Sequence, residues 1–248
     1  MKLFLAGAAA TLGLVIAHKK LIYAYRRRFS KVALQYFNIK GLGEPIRYVL
    51  ALSGVPFEDN RFESREEFIA LKPSLRFGQV PCLTIDGVEF FQSAAIMRVI
   101  CKQFGSPLYP SNVNVAAEVD AYIDQIKDMD MGKMVASYKR RFGFPESVLN
   151  DDNAEEVFEL WRNETLVRHL TFFDDALAHS PTMWLAGTDG PTIADVFLAT
   201  MLSSYATKWP DKIPPYSAGL KKIVDTVLSL PAVTAYLAAR GEFDTAVR

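Results

Sequence analysis

The spacing of apolar residues changes once along this chain, near residue 106. From residue 32 to that point, short β-type stretches alternate with amphipathic helical ones and are separated by turn residues. Beyond residue 112 every patterned stretch has the helical period. The segment between holds Gly105, Pro107 and Pro110, which is typical of a linker. The pattern predicts a mixed α/β domain over 31–106 and an all-helical domain over 112–248.

The first domain is predicted in the order β-α-β-α-β-β-α. Its elements are a strand at 32–37, a helix that carries Pro45 in its first turn, a strand at 57–62, a helix at 66–71, a hairpin of 80–85 and 88–91 joined by an Asp-Gly turn, and a helix at 93–104. The second domain is predicted to be a bundle or right-handed array of helices. Its helices are predicted at 115–141, 153–179 and 192–206, followed by two shorter ones.

The first 30 residues form a separate segment. Residues 3–17 are apolar and uncharged, and residues 1–31 carry seven basic and no acidic side chains. A secretory signal, a mitochondrial leader and a membrane anchor all fit this pattern. As a helix, residues 3–17 span only about 22 Å of a core about 30 Å thick, although Lys19 and Lys20 can snorkel. The basic flank favours a protein that associates with a membrane through residues 3–17 and keeps its body in the cytosol. If the segment is not an anchor, we expect a cytoplasmic or organellar protein.

Charge and cysteine use narrow the kinds of partner. The chain has 28 basic and 28 acidic residues, so removing the seven basic ones of residues 1–31 leaves 21 against 28, a net charge of −7. An acidic body is a poor nucleic-acid binder, because phosphate contacts need clustered Lys and Arg. Cys82 and Cys101 form neither a Cys-x-x-Cys pair nor a disulfide framework, which suits a reducing compartment. His169 and His179 lack metal-ligand spacing, so we expect no metal.

Several residues in the first domain stand where a ligand could bind. Tyr36 ends the first strand beside a loop with two glycines, and ligands of α/β sheets bind at strand ends. Pro81 cannot donate to a ladder, which leaves the backbone of Val80 free to pair with an extended ligand. Gln92 and Ser93 begin a helix, where free N–H groups suit a carboxylate. Plainer roles are a core tyrosine, an edge-strand proline and an N-cap serine.

An acidic stripe marks the first long helix of the second domain. Asp120, Asp124 and Asp128 recur every fourth residue, so they share one face. A solvated face is the usual explanation for such a stripe. Three carboxylates in a row also suit a cationic partner, a metal ion or the amino group of a ligand.

In this order and spacing, the motifs resemble those of the sigma-class glutathione S-transferases and of the related haematopoietic-type prostaglandin D synthase. The match covers about residues 32–240. The motifs that carry it are Leu34–Gly41, Gly43–Arg47, the cis-proline segment Phe77–Pro81, the helix start Gln92–Ile96, and Trp184–Gly187 with the capping box Thr192–Asp195. The resemblance implies a thioredoxin-like, glutathione-binding N-terminal domain before the all-helical domain.

The resemblance also implies roles for single residues. Tyr36 would donate its hydroxyl to the glutathione sulfur, and Val80 would pair its backbone with the cysteinyl part beside a cis bond at Pro81. The groups that would hold the ends of glutathione are Gln92 and Ser93 at the γ-glutamyl carboxylate, Phe68, Lys72 and Gln79 near the glycyl end, and Asp128, which would reach the γ-glutamyl amino group of the other subunit's ligand. A homodimer is therefore expected.

Two residues depart from the pattern of the class. Leu42 stands where the class commonly has an arginine that supports the tyrosine, and Phe68 replaces a tryptophan and so lacks its N–H donor. With these departures, the resemblance implies a transferase that conjugates glutathione, its cosubstrate, to small hydrophobic electrophiles. The electrophile site would be lined by Met131, Met134 and Tyr138, although packing within the bundle explains the methionines equally well.

Three other functions stay open at this point. A glutathione-dependent isomerase of the prostaglandin D synthase type would use the same site with glutathione as a true cofactor. A non-catalytic glutathione S-transferase-like binding protein would explain Leu42 but not the presence of Tyr36, Gln92 and Ser93. A thiol transferase that uses Cys82 lacks a helix N-terminus to activate the thiol.

Overall fold

The computed structural model describes residues 2–241 and 243, without the side chains of residues 2–12 and Arg140. Most side chains of the apolar run 3–17 therefore lie outside the described residues. The choice between a cleaved leader and a membrane anchor depends on those side chains and stays a prediction. Among the described residues, no single helix is long and apolar enough to cross a membrane. Two consecutive helices, Ala218–Ser229 and Pro231–Ala239, reach the length and apolar composition of a membrane span only when they are taken together, and a bend of 64° separates them.

Contacts divide the chain into two units, the first of which is Met1–Tyr109 with Ala235–Arg248. The helices and strands of residues 2–109 are α1 (Lys2–Phe29), β1 (Val32–Phe37), α2 (Glu44–Leu52), β2 (Glu58–Phe62), α3 (Arg65–Leu71), β3 (Cys82–Ile85), β4 (Val88–Phe91) and α4 (Ser93–Phe104). The strands form a four-stranded sheet in the order β2-β1-β3-β4. Only β1 and β2 run parallel. The predicted order of elements from residue 32 is confirmed.

Strand β1 lies inside the sheet, and Tyr36, the residue of chemical interest, is its next-to-last residue. Val32, Leu34 and Tyr36 alternate with less buried neighbours, as expected for a strand that buries one face. The antiparallel ladder between β1 and β3 ends at the pair Gln35–Cys82. Continuing that register by one residue sets Tyr36 opposite Pro81, just beyond the paired part of β3.

The predicted strand 80–85 begins two residues too early. Strand β3 starts at Cys82, so Val80 and Pro81 precede it, and the peptide bond between them is cis. Proline has no N–H to give to a ladder, which explains why pairing starts only after it.

The second unit, Pro110–Thr234, is helical. Its helices are α5 (Val113–Ser137), α6 (Asp151–Leu160), α7 (Leu166–His179), α8 (Ile193–Lys208), α9 (Ala218–Ser229) and the start of α10 (Pro231–Ala239). The predicted helix 115–141 ends early, and a 3₁₀ turn, Lys139–Phe142, follows. The predicted helix 153–179 contains a π-helical turn, Trp161–Thr165, whose buried indole donates to the Met129 carbonyl at 2.6 Å.

The capping box at the start of α8 is present as predicted. Thr192 and Asp195 bond each other reciprocally, and Asp195 Oδ1 also accepts from the Leu185 N–H at 2.9 Å. Burial raises the pKa of Asp195, and the hydrogen bonds that it accepts oppose this rise. A buried carboxylate with this many donors fixes the loop before α8 to the helix.

The basic end of α1 packs against the C-terminus of α4. Arg27 donates to the Phe104 carbonyl from Nε at 3.1 Å and Nη2 at 2.7 Å, while Arg26 donates to the Gln103 carbonyl at 3.3 Å. The Tyr23 ring covers Gly105, where a Cβ would lie 2.2 Å from the ring. These guanidinium groups satisfy carbonyls that a helix end leaves unpaired, and their charge suits the negative end of the dipole. The prediction that residues 1–30 form a separate segment did not include this contact.

We expect Arg27→Ala to lower the free energy of unfolding of the full-length protein by about 1–2 kcal/mol, because the α4 carbonyls lose a charged donor. Urea denaturation, followed by circular dichroism, measures the change. The control is Arg28→Ala, which removes an exposed arginine from the same helix. Equal stabilities of the two variants would mean that Arg27 does not cap α4.

Candidate glutathione site

A glycine-containing loop encloses the side chain of Tyr36. The tyrosine is 7% exposed, and its hydroxyl oxygen accepts a hydrogen bond from the Leu42 N–H at 3.0 Å. A Cβ on Gly41 would lie 2.5 Å from the hydroxyl oxygen, and one on Gly43 would lie 2.4 Å from ring atom Cδ1. Only glycine permits this approach at either position. We call residues 38–43 the Tyr36 loop.

The guanidinium group of Arg47 binds the backbone at the point where β1 leads into this loop. Arg47 is fully buried; its Nη1 donates to the Ile39 carbonyl at 2.9 Å and its Nη2 to the Phe37 carbonyl at 3.3 Å. Its Nε donates to Asp59 Oδ1 of β2 at 2.9 Å. The guanidinium carbon also lies 5.8 Å from the centroid of the Tyr36 ring. Arg47 thus connects α2, β2 and the Tyr36 loop.

The start of α4 is strained and carries free backbone donors. Gln92 is the N-cap, with φ 69° and ψ 116°, and its side chain makes no capping hydrogen bond there. Such a backbone costs on the order of 1–3 kcal/mol and is found mostly at functional sites. Ser93 is the first helical residue and is buried, so it is not the N-cap. The first N–H groups of α4 therefore suit an anionic group.

The segment before β3 lies next to Tyr36 in the continued register. Val80 precedes the ladder, so its backbone is not committed to β1. The Lys72 side chain lies along Gly78, with its Cε 3.4 Å from the position of a Cβ there. Gln79 is half-buried between these residues. Lys72, Gln79 and Val80 thus belong to one stretch of the first unit, and their contacts with glutathione stay predictions.

Phe68 packs against the same apolar cluster as Val80, whereas Asp128 belongs to the second unit. The Phe68 ring packs edge-on against Phe37 at 5.0 Å and Phe62 at 5.7 Å, in the cluster around Leu75. Asp128 is exposed on α5 of the second unit. Their roles toward glutathione stay predictions.

Other side chains of α5, and that of the residue directly after it, are exposed within this chain, and they include both polar and apolar ones. Asp124 is exposed and pairs with Lys127 at 3.1 Å, which fits a solvated acidic face. Met131 and Tyr138 are 48% and 51% exposed within this chain, so they are not core residues of the bundle. Met134 is half-buried.

The cysteines do not suit thiol chemistry. Burial raises the pKa of the Cys82 thiol to about 11, with a further contribution from the Glu89 carboxylate, and it raises the pKa of Cys101 to about 12. At neutral pH only about one Cys82 in ten thousand is then a thiolate. This argues against the thiol transferase that uses Cys82.

The arrangement of histidine and acidic side chains does not resemble a metal site in the described part of the chain. Within residues 2–241 and 243, no group of three or more His, Cys, Asp or Glu side chains is placed to hold a metal ion. His169 Nδ1 lies 2.6 Å from Gln125 Nε2, and burial lowers the pKa of this histidine. His169 is therefore a packing residue of the second unit.

Sequence reasoning assigned no role to the Leu42 N–H, to Gly43 or to Arg47. The available signal was the pair Gly41 and Gly43 directly after a strand-end tyrosine, since closely spaced glycines can mark a close approach of backbone to a side chain. The donor at Leu42 is a backbone group, which side-chain patterns do not reveal.

Family models match both halves of the chain. Residues 32–101 match the model of the glutathione S-transferase N-terminal domain, and residues 141–240 match that of the C-terminal domain. Glutathione S-transferase 1 of Ascaris suum is 36% identical over 210 residues, which cover 84% of this chain and 95% of that protein.

Solved structures agree with these matches. The structure of prostaglandin synthase D of Nilaparvata lugens has a TM-score of 0.72 and 31% identity, and the likeness covers 85% of this chain and 99% of that one. A monomeric glutathione S-transferase of Necator americanus has a TM-score of 0.65 and 31% identity, over 86% of this chain and 98% of that one. The predicted fold class, a thioredoxin-like domain followed by a helical one, is confirmed.

We expect Gly43→Ala to destabilise the protein by about 1–3 kcal/mol, because the new methyl group must displace the Tyr36 ring. The matched control is Gly190→Ala, where a Cβ meets no described atom within 4 Å. Thermal or urea unfolding measures both variants. A Gly43→Ala protein as stable as the control would show that the loop does not hold the ring tightly.

Proposed function

The chain belongs to the glutathione S-transferase family, and on this premise we propose that it is a sigma-type transferase that joins the glutathione thiolate to small hydrophobic electrophiles. The proposal depends above all on the hydrogen bond from the Leu42 N–H to the Tyr36 hydroxyl, at 3.0 Å. In this bond the hydroxyl oxygen accepts, and a tyrosine hydroxyl can donate as well, which is the bond that the glutathione sulfur would receive.

Tyr36 would act by stabilising the ionised thiol. A free cysteine thiol has a pKa near 8.5, and only its thiolate is a good nucleophile. A hydrogen bond to a charged group contributes about 1.5–3 kcal/mol, which lowers a pKa by about one to two units. Hydrogen bonds in series also strengthen one another, so the Leu42 N–H makes the Tyr36 O–H a better donor.

The backbone N–H of Leu42 does not replace the missing arginine, because every residue except proline has that donor. The class commonly has a guanidinium group at this position, whereas Leu42 contributes its backbone N–H. Arg47, which belongs to a motif shared with the class, places its guanidinium carbon 5.8 Å from the centroid of the ring, although Glu44 and Asp59 pair with its charge. A nearby cation favours the thiolate over the thiol.

Glutathione would extend from α4 to the segment before β3. Its γ-glutamyl carboxylate suits the start of α4 at Gln92 and Ser93, and its cysteinyl part suits the backbone of Val80 beside the cis peptide at Pro81. Its glycyl carboxylate suits Lys72, with Gln79 beside it, and Phe68 is the less direct candidate there because its ring packs against Phe37 and Phe62.

The chemical step requires a second substrate with an electrophilic carbon. With a chloronitroarene, a C–S bond forms, chloride leaves and the thiol proton goes to solvent. Met131 of α5 and Tyr138, directly after that helix, are exposed side chains that could contact such a substrate, and methionine adapts to several ligand shapes.

A glutathione-dependent isomerase of the prostaglandin D synthase type is the second candidate. The likeness to a prostaglandin synthase D structure favours it, and the same Tyr36 hydroxyl would serve. A non-catalytic binding protein is the third candidate, and it rests on Leu42 alone.

We also propose a homodimer in which Asp128 reaches the partner's ligand. Ile69, Phe77 and Val88 of the first unit are each more than half exposed, which suits an apolar contact with a second copy. One solved relative is described as monomeric, so the oligomeric state requires its own measurement.

Tyr36→Phe in the full-length enzyme is expected to lower turnover with 1-chloro-2,4-dinitrobenzene at least about tenfold, because the thiolate loses its donor. Glutathione affinity, measured by calorimetry, is expected to change little. The control is Tyr216→Phe, a half-buried tyrosine of the second unit that donates to the Leu202 carbonyl. Unchanged turnover in Tyr36→Phe would remove this residue from catalysis.

The wild-type enzyme distinguishes the three functions in the same assays. Conjugation supports the transferase. Glutathione binding without conjugation favours the isomerase or an enzyme of narrow specificity. If the protein shows no conjugation and does not bind glutathione, the fold serves another purpose.

We further propose that the leader anchors the protein, with its body in the cytosol. Leu14, Val15 and Ile16 are each 46% or more exposed on α1, and basic residues follow. We expect the full-length protein to sediment with membranes and to resist carbonate extraction, because apolar surface is buried in lipid. Changing all three residues to Asn should release it, whereas Leu160→Asn on α6 should not. A soluble mature protein that begins after residue 17 would contradict the anchor.

A further inference from the structure

Residues near the C-terminus pack against the base of the Tyr36 loop. Arg240 forms an ion pair with Glu44, and its own carbonyl accepts from Arg61 Nη1 at 3.2 Å. The Tyr236 hydroxyl lies 3.4 Å from Glu44 Oε2, and its ring contacts Tyr48 at 5.9 Å. We call Tyr236–Arg240 together with Phe243 the C-terminal tail. Although almost 200 residues separate Arg240 from Glu44, both belong to the first unit.

Phe243 lies among three guanidinium groups. Its ring centroid is 4.2 Å from Arg240, 4.7 Å from Arg61 and 5.2 Å from Arg47. The negative face of an aromatic ring attracts cations, so Phe243 stabilises three like charges close together. The tail therefore contacts the same arginine that holds the Tyr36 loop.

Glu44 provides a second connection between the tail and Arg47, in addition to the ring of Phe243. Its carboxylate is 2% exposed, pairs with Arg240, and accepts from Arg47 Nη1 at 3.4 Å. Burial raises the pKa of Glu44, and the charge of Arg240 is the largest effect that opposes the rise. Without Arg240, this carboxylate would lose its main compensating charge, and a poorly paired buried ion destabilises its surroundings.

The path from the tail to the tyrosine is continuous. Arg240 contacts Glu44, Glu44 contacts Arg47, and Arg47 binds the carbonyls at 37 and 39 on either side of the start of the Tyr36 loop. The charged and titratable groups around this path are Lys40 of the loop, Glu44, Arg47 and Tyr48 of α2, Asp59 and Arg61 of β2, and Tyr236 and Arg240 of the tail.

We propose that the C-terminal tail, through Arg240 and Phe243, positions the Tyr36 hydroxyl for the glutathione sulfur. This inference rests on the proposed function of Tyr36. Arg240 and Phe243 are positioning residues, because they act through Glu44 and Arg47. The tail places the charge of Arg240 beside Glu44 and the ring of Phe243 beside Arg47. This support is present in a chain that has Leu42 where the class commonly has an arginine.

The test is the ionisation of glutathione bound to the full-length enzyme, followed by the ultraviolet absorbance of the thiolate as pH is varied. In Arg240→Met we expect the pKa of the bound thiol to rise by about 0.5–1 unit, because the tyrosine donor is less well placed. The conjugation rate, kcat/KM, should fall about three- to tenfold near pH 6.5 and approach that of wild type near pH 9, where the thiol ionises unaided.

Controls separate positioning from a general loss of structure. Arg168→Met removes an exposed arginine of α7 and should leave the thiol pKa unchanged. Phe243→Leu keeps every charge and removes only the aromatic ring, so it should raise the thiol pKa in the same direction, by a smaller amount. If Arg240→Met fails to fold, Phe243→Leu decides the question alone.

The results distinguish this inference from the proposed function. A thiol pKa equal to that of wild type in the folded variants, or a loss of rate that is the same at all pH values, would overturn the positioning role while Tyr36 keeps its own. The absence of any thiolate band in wild-type enzyme with glutathione would refute the proposed function and this inference with it.

Discussion

The buried guanidinium group of Arg47 organises the site. A guanidinium away from water needs acceptors for its donors and a negative charge nearby. Arg47 finds them in two carbonyls where β1 leaves the sheet, in Asp59 on β2 and in Glu44 at the start of its own helix. Because these acceptors belong to different elements, satisfying one buried charge also fixes the course of the Tyr36 loop. The position of the tyrosine hydroxyl follows from that course.

Helix α4 shows how the two ends of one element can serve different purposes. At its start, the strained Gln92 backbone leaves the first N–H groups without a side-chain cap, which suits a carboxylate. At its end, Gly105 takes the left-handed conformation and Arg27 covers the last carbonyls. The leader is thus in contact with a helix whose other end belongs to the candidate site.

Local patterns predicted much of this arrangement. Alternation identified β1 with Tyr36 near its end, the Asp-Gly turn identified the hairpin, and the resemblance to the family marked Thr192 and Asp195 as the capping box of α8. What local patterns could not show depends on backbone groups or on distant parts of the chain. The Leu42 N–H is present at every residue type except proline, and Arg240 meets Glu44 only after the whole chain has folded. The π-helical turn at Trp161–Thr165 likewise breaks a helical pattern that looks continuous in sequence.

The most direct test of the account is a crystal structure of the full-length protein with glutathione bound. We expect the sulfur within about 3.3 Å of the Tyr36 hydroxyl oxygen, with the Leu42 N–H still donating to that oxygen and the γ-glutamyl carboxylate at the start of α4. A sulfur bound beyond hydrogen-bonding distance of Tyr36, with the carboxylate away from Ser93, would contradict the assignment of the tyrosine as the group that stabilises the thiolate.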